Sequence, residues 1–90
     1  AYTLLYVDAL AQAGVQFGIP KPLALKIASQ AVLGTTRLLQ ETGEHPRALA
    51  DQVCSPGGTT IAGVCSLQKD AFEAAVVAAA QASLDRDKQL

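Results

Sequence analysis

Residues 21–43 read KPLALKIASQAVLGTTRLLQETG, and the spacing of their apolar side chains decides the fold. Leu23, Ile27, Ala31 and Leu38 recur at helical intervals, and Val32 and Leu39 widen the stripe. Lys21, Lys26, Arg37 and Glu41 are the only charges over roughly six turns. Pro22 is tolerated in a first turn, where a missing N–H has no acceptor to lose. Gly43 stands where a left-handed C-cap is expected. The stretch therefore predicts one long helix from Pro20 or Lys21 to Thr42. Gly34, in its middle, costs up to about 1 kcal/mol against Ala. Close approach of another helix is the ordinary reason to keep it.

The same period extends outward on both sides. Tyr2, Leu5, Tyr6, Ala9, Leu10 and Ala13 form one face of a helix from Ala1 to Phe17, while Leu4, Val7 and Ala11 make its other faces apolar too. Such a helix is expected to be buried on most of its circumference. Gly18 and Pro20 end it. Downstream, Pro46 opens a short helix through Val53, and another runs from Thr59 to Lys69. The last starts at Asp70-Ala71-Phe72-Glu73, which has the form of a capping box with Asp70 as cap. It continues through AAVVAAAQAS, residues 74–83, and ends in a charged tail at Asp85–Lys88. No stretch alternates with period 2 over a strand's length. The expected class is all-α, with about five helices.

Ninety residues make one small domain, which buries only about 60–65% of the surface its unfolded chain exposes. Half the residues are apolar, 17% are charged, and Asp8 is the only charge in residues 1–20. That is more apolar surface than so small a body hides, which points to self-association or to a second domain. Net charge is −1 without a basic stripe, so nucleic acid is not an expected partner. No apolar run approaches the ~20 residues of a membrane span, and no signal-peptide pattern appears, which leads to a cytoplasmic expectation. Cys54 and Cys65 are too few for a disulfide scaffold, and with His45 they lack the paired spacing of a zinc site. The chain has no Met and begins inside a helix, and so reads as part of a longer protein.

The chemistry concentrates in CSPGGTT, residues 54–60. Pro56 fixes one φ angle, Gly57 and Gly58 free the next two residues, and Ser55, Thr59 and Thr60 supply hydroxyls. Ser55 is a candidate N-cap with Pro56 at the first helical position, or the cap shifts to Thr59 or Thr60. In each case amides at a helix start lack intrahelical acceptors, and the helix dipole adds about 0.3–2 kcal/mol for an anion there. No Lys or Arg lies between Arg47 and Lys69, so the backbone is the local candidate for holding a carboxylate or phosphate. The spacing is not that of a Walker loop. Residue chemistry alone leaves two readings open, a capped turn and an anion site.

The order of these pieces resembles the helical C-terminal dimerisation domain of the pyrroline-5-carboxylate reductase family. The resemblance spans the chain: DALAQAGVQFGIP (8–20), ASQAVLG (28–34), ETGEHP (41–46) and, most specific, SPGGTTIAGVCSLQ (55–68). The family's enzymes reduce 1-pyrroline-5-carboxylate to L-proline with NAD(P)H, the last step of proline biosynthesis. The resemblance implies that residues 1–90 are the dimerisation and substrate-binding domain of a two-domain oxidoreductase. The cofactor would be bound by an N-terminal Rossmann domain absent here, and none by these residues. It implies an interlocked homodimer, and in some members a decamer built as a pentamer of dimers. Ser55 and the backbone of Gly57, Gly58 and Thr59 would hold the substrate carboxylate. Thr60 would set its hydroxyl against the ring nitrogen and serve as the catalytic residue.

His45 could assist proton delivery or simply face solvent, and Cys54, often Ser or Thr in the family, reads as a packing residue. The sequence departs from the family at Ala31, commonly Thr, and at Asp87 and Gln89, commonly Ser and Glu; none of these lies in the loop. No Gly-x-Gly-x-x-Gly turn is present, so the fragment alone is expected to be inactive. The alternatives are a free-standing helical assembly module in which SPGGTT is only a capped turn, and a small anion-binding domain unrelated to proline.

Overall fold

The computed structural model describes residues 1–90 and contains five helices and no strand. They are α1 (Tyr2–Gln16), α2 (Lys21–Thr42), α3 (Pro46–Gln52), α4 (Thr59–Lys69) and α5 (Phe72–Gln89). The all-α expectation holds. The chain divides into two units, residues 1–46 and 47–90.

The first unit is the α1–α2 hairpin. α1 closes in a Schellman motif, in which the Gly18 N–H donates to the Val15 carbonyl and the Ile19 N–H to that of Gly14, both at 3.0 Å. Gly18 makes this possible with φ +98°. Pro20 then leads into α2, whose far end is closed by Gly43 at φ +65°, its N–H donating to the Leu39 carbonyl. The helices meet closely at Gly14, where an added Cβ would lie 3.3 Å from that of Ala24. Around this crossing Ala11, Ala24 and Ala28 are buried, with Val7, Val15 and Ile19 packed against them. On the surface, Lys21 Nζ lies 2.8 Å from Asp8 Oδ1 and donates to Gln12 Oε1 at 2.9 Å, joining the start of α2 to one face of α1.

Two expectations for this unit are not met within one chain. α1 buries only Ala11, and Leu4 and Leu5 are 73% and 71% exposed. A Cβ on Gly34 would meet nothing within 4 Å, so α1 does not make the close approach expected there.

In the second unit α3, α4 and α5 contain no buried residue. α3 ends at Gln52, one residue before the expected Val53, which turns back with its N–H on the Ala50 carbonyl. The expected capping box at residues 70–73 does not form. Asp70 instead ends α4, its N–H donating to the Ser66 carbonyl. Ala71 takes a left-handed conformation, φ +58°, and α5 begins at Phe72 with no side-chain cap. A two-residue connection between helices needs such a left-handed residue, and this places Asp70 on the wrong side of the turn to cap α5. Glu73 pairs with Arg47 of α3 instead, at 2.9 Å.

Left-handed backbone costs an L-residue about 1–2 kcal/mol, and glycine gives back about 0.5–1 kcal/mol of that through unfolded-state entropy. Ala71→Gly is therefore expected to stabilise the protein by about 0.5–1 kcal/mol, and Ala71→Val to destabilise it. Denaturant midpoints of the two variants check this, and equal midpoints would contradict it.

Candidate anion site at the start of α4

The loop between α3 and α4 is built around a β-turn at residues 55–58. The Gly58 N–H donates to the Ser55 carbonyl at 3.0 Å, and Gly57 has φ +68°. Positive φ at the third position, with proline at the second, is the signature of a type II turn. Gly58 follows in extended backbone, φ −84° and ψ −179°, and α4 starts at Thr59.

This corrects the capping expectation. The N-cap is Gly58, so neither Ser55 nor Thr59 nor Thr60 caps the helix, and no side chain bonds to its first amides. The type II turn absorbs Pro56 outside the helix and delays the helix start to Thr59. The consequence is chemical. The N–H groups of Thr59, Thr60 and Ile61 precede the first intrahelical acceptor, and the first α4 bond is the Ala62 N–H to the Gly58 carbonyl, at 3.4 Å.

The five sequence-predicted residues Ser55, Gly57, Gly58, Thr59 and Thr60 thus frame one helix N-terminus. Ser55, Thr59 and Thr60 are exposed. Ser55 Oγ lies against the Cα of Gly58, where an added Cβ would come within 2.7 Å of it. No acidic residue occupies the first turn of α4, and Lys69 sits in the last. A small anion at the first turn would therefore meet amide donors and the positive end of the dipole without a competing carboxylate.

The other candidates lie elsewhere. His45 is in the connection between α2 and α3, while Cys54 is half-buried beside the turn and Cys65 is exposed on α4, neither in a disulfide. No group of three or more His, Cys, Asp or Glu side chains gathers where it could hold a metal ion. No helix is long and apolar enough to cross a membrane. With no strand present, these residues do not fit a dinucleotide held by a strand–turn–helix cradle.

Sequence reasoning missed a second feature, a groove of about 860 Å³ along α4 and α5. Val64, Leu67, Phe72 and Val77 line it, with Arg47, Glu73 and Gln81 as polar members. The three- to five-residue spacing of its apolar members was visible, but not which face of each helix they shared.

Comparison with known proteins joins these observations. Residues 1–90 match the family model for pyrroline-5-carboxylate reductase dimerisation. The chain is 49% identical over 90 residues to pyrroline-5-carboxylate reductase of Synechocystis sp., covering all of this chain and 34% of that one. It superimposes on 1-pyrroline-5-carboxylate reductase of Streptococcus pyogenes with a TM-score of 0.97 and 43% identity, over 99% of this chain and 34% of that one. The Plasmodium falciparum pyrroline carboxylate reductase, solved with NADP bound, matches with a TM-score of 0.86 and 31% identity, over 90% of this chain and 31% of that one. The chain spans about a third of the length of the curated relatives it matches. It belongs to the pyrroline-5-carboxylate reductase dimerisation family.

Proposed function

We propose that this chain is the dimerisation and substrate-binding part of a pyrroline-5-carboxylate reductase. The full enzyme would reduce 1-pyrroline-5-carboxylate to L-proline with NAD(P)H in the cytoplasm, as a step of proline biosynthesis. The observation that carries the substrate assignment is the uncapped start of α4 behind a type II turn. The substrate carries its carboxylate on the ring carbon bonded to the imine nitrogen, so the two groups lie close together, and the loop offers a complement to each.

The carboxylate binds the first-turn amides with the Ser55 hydroxyl beside it, on the bare backbone of Gly57 and Gly58. The Thr60 hydroxyl meets the ring nitrogen. Reduction of the imine leaves a secondary amine, so a proton must reach that nitrogen, and a hydroxyl there both orients the ring and can relay the proton. NAD(P)H supplies the reducing equivalents from a separate nucleotide-binding domain N-terminal to these residues. The Plasmodium relative was solved with NADP bound, which supports a nicotinamide cofactor for the full enzyme.

The exposed apolar faces of α1, α2, α4 and α5 support a homodimer, and the family likeness extends this to decamers in some members. The test is a comparison of the full-length enzyme with residues 1–90 alone, following NADPH oxidation in the presence of pyrroline-5-carboxylate. The full chain is expected to turn over and the 90-residue part to show none. Turnover by the part alone would contradict the division of labour.

A further inference from the structure

The Arg47–Glu73 ion pair has no place in the proposed chemistry, yet its position in the chain bears directly on the loop. α3 is a seven-residue helix with no buried residue, and helices that short are marginal without tertiary support. It carries the upstream end of the Ser55–Gly58 turn, as α4 carries the downstream end. α4 passes through the Asp70–Ala71 connection into α5, and in the first turn of α5 Glu73 accepts from Arg47 Nη2 at 2.9 Å. The path α3, turn, α4, α5 and ion pair therefore closes on itself, and the turn lies within the closed circuit. Glu73 is well placed to hold its end, because a carboxylate in a first turn is favoured by the helix dipole.

We infer that Arg47 and Glu73 are positioning residues that hold α3, and through it the Ser55 side of the substrate loop, in register with the start of α4. This rests on the assignment of the loop as the substrate site. Both side chains are well exposed, at 67% and 76%, so the pair is on the weak scale of surface ion pairs and the effect is modest and salt-sensitive.

The experiment uses the full-length enzyme. KM and kcat for pyrroline-5-carboxylate are measured for wild type, Arg47→Gln, Glu73→Gln and the charge-reversed double variant Arg47→Glu/Glu73→Arg, at low and high salt. Thr60→Ala is run beside them. Each single variant is expected to raise the substrate KM about two- to fivefold at low salt with kcat and dimer state unchanged. The reversed pair should restore KM, and high salt should bring wild type up to the single variants.

Unchanged KM in the single variants, or a reversed pair no better than they are, overturns the inference. If Thr60→Ala lowers turnover while the ion-pair variants do nothing, only the positioning role fails. If Thr60→Ala is also silent in kcat and KM, the role proposed for its hydroxyl at the ring nitrogen falls together with the positioning role.

Discussion

Thr60→Ala in the full-length enzyme is expected to lower turnover about a hundredfold, the scale of one lost general acid–base contribution, while the dimer and its thermal midpoint stay unchanged. Thr60 is the second residue of α4 and is exposed, and its side chain makes no cap to the helix. Truncating it removes no buried contact and no capping bond, so a stability cost has no source in the chain. A catalytic cost has one, because Thr60 is the second residue of the helix whose first amides are proposed to hold the carboxylate, and its hydroxyl is the group proposed to meet the ring nitrogen. Thr60→Ser keeps the hydroxyl and should retain most activity. The measurement is steady-state kinetics beside sedimentation and melting. A variant that melts early and turns over normally would make the loop a capped turn.

The second large effect concerns assembly. Val77→Asp, on the α5 side of the groove, is expected to weaken the dimer by more than about a hundredfold, the scale of about 3 kcal/mol for an uncompensated buried charge. Only Ala11, Ala24 and Ala28 are buried, and no large side chain is fully buried. Leu4, Leu5, Phe17 and Val77 all stay well exposed on a single chain, which is what a chain that folds against a partner surface leaves open. Folding and association should then be one event, and the wild-type melting midpoint should rise with protein concentration. Sedimentation of Val77→Asp at micromolar concentration reads the effect. An intact dimer, or a wild-type midpoint independent of concentration, would contradict it.

The long helices were legible because local chemistry and period agreed. Pro22 at the start and Gly43 at the end bound α2 as expected, and the α4 limits at Thr59 and Lys69 follow from the apolar period between a glycine pair and a charged turn. The failures share one cause. Asp70-Ala71-Phe72-Glu73 has the residue types of a capping box, but the same letters serve a helix end followed by a left-handed turn, and only the connection length chooses between them. Ser55-Pro56 likewise looks like a cap and first turn until Gly57 takes positive φ and moves the helix start downstream. The candidate loop could be read as one unit because its residues are contiguous. The Arg47–Glu73 pair could not, since nothing local links residues 26 apart. The apolar excess of α1 was plain in sequence, but its burial needs a surface that one chain does not provide.

The start of α4 is proposed to receive the substrate carboxylate. A crystal structure of the full-length enzyme with L-proline and NADP tests it most directly. The proline carboxylate is expected within hydrogen-bonding distance, about 2.7–3.2 Å, of the first-turn amide nitrogens of α4, with Thr60 Oγ1 on the ring nitrogen. Proline bound elsewhere, with these amides facing only solvent, would contradict it.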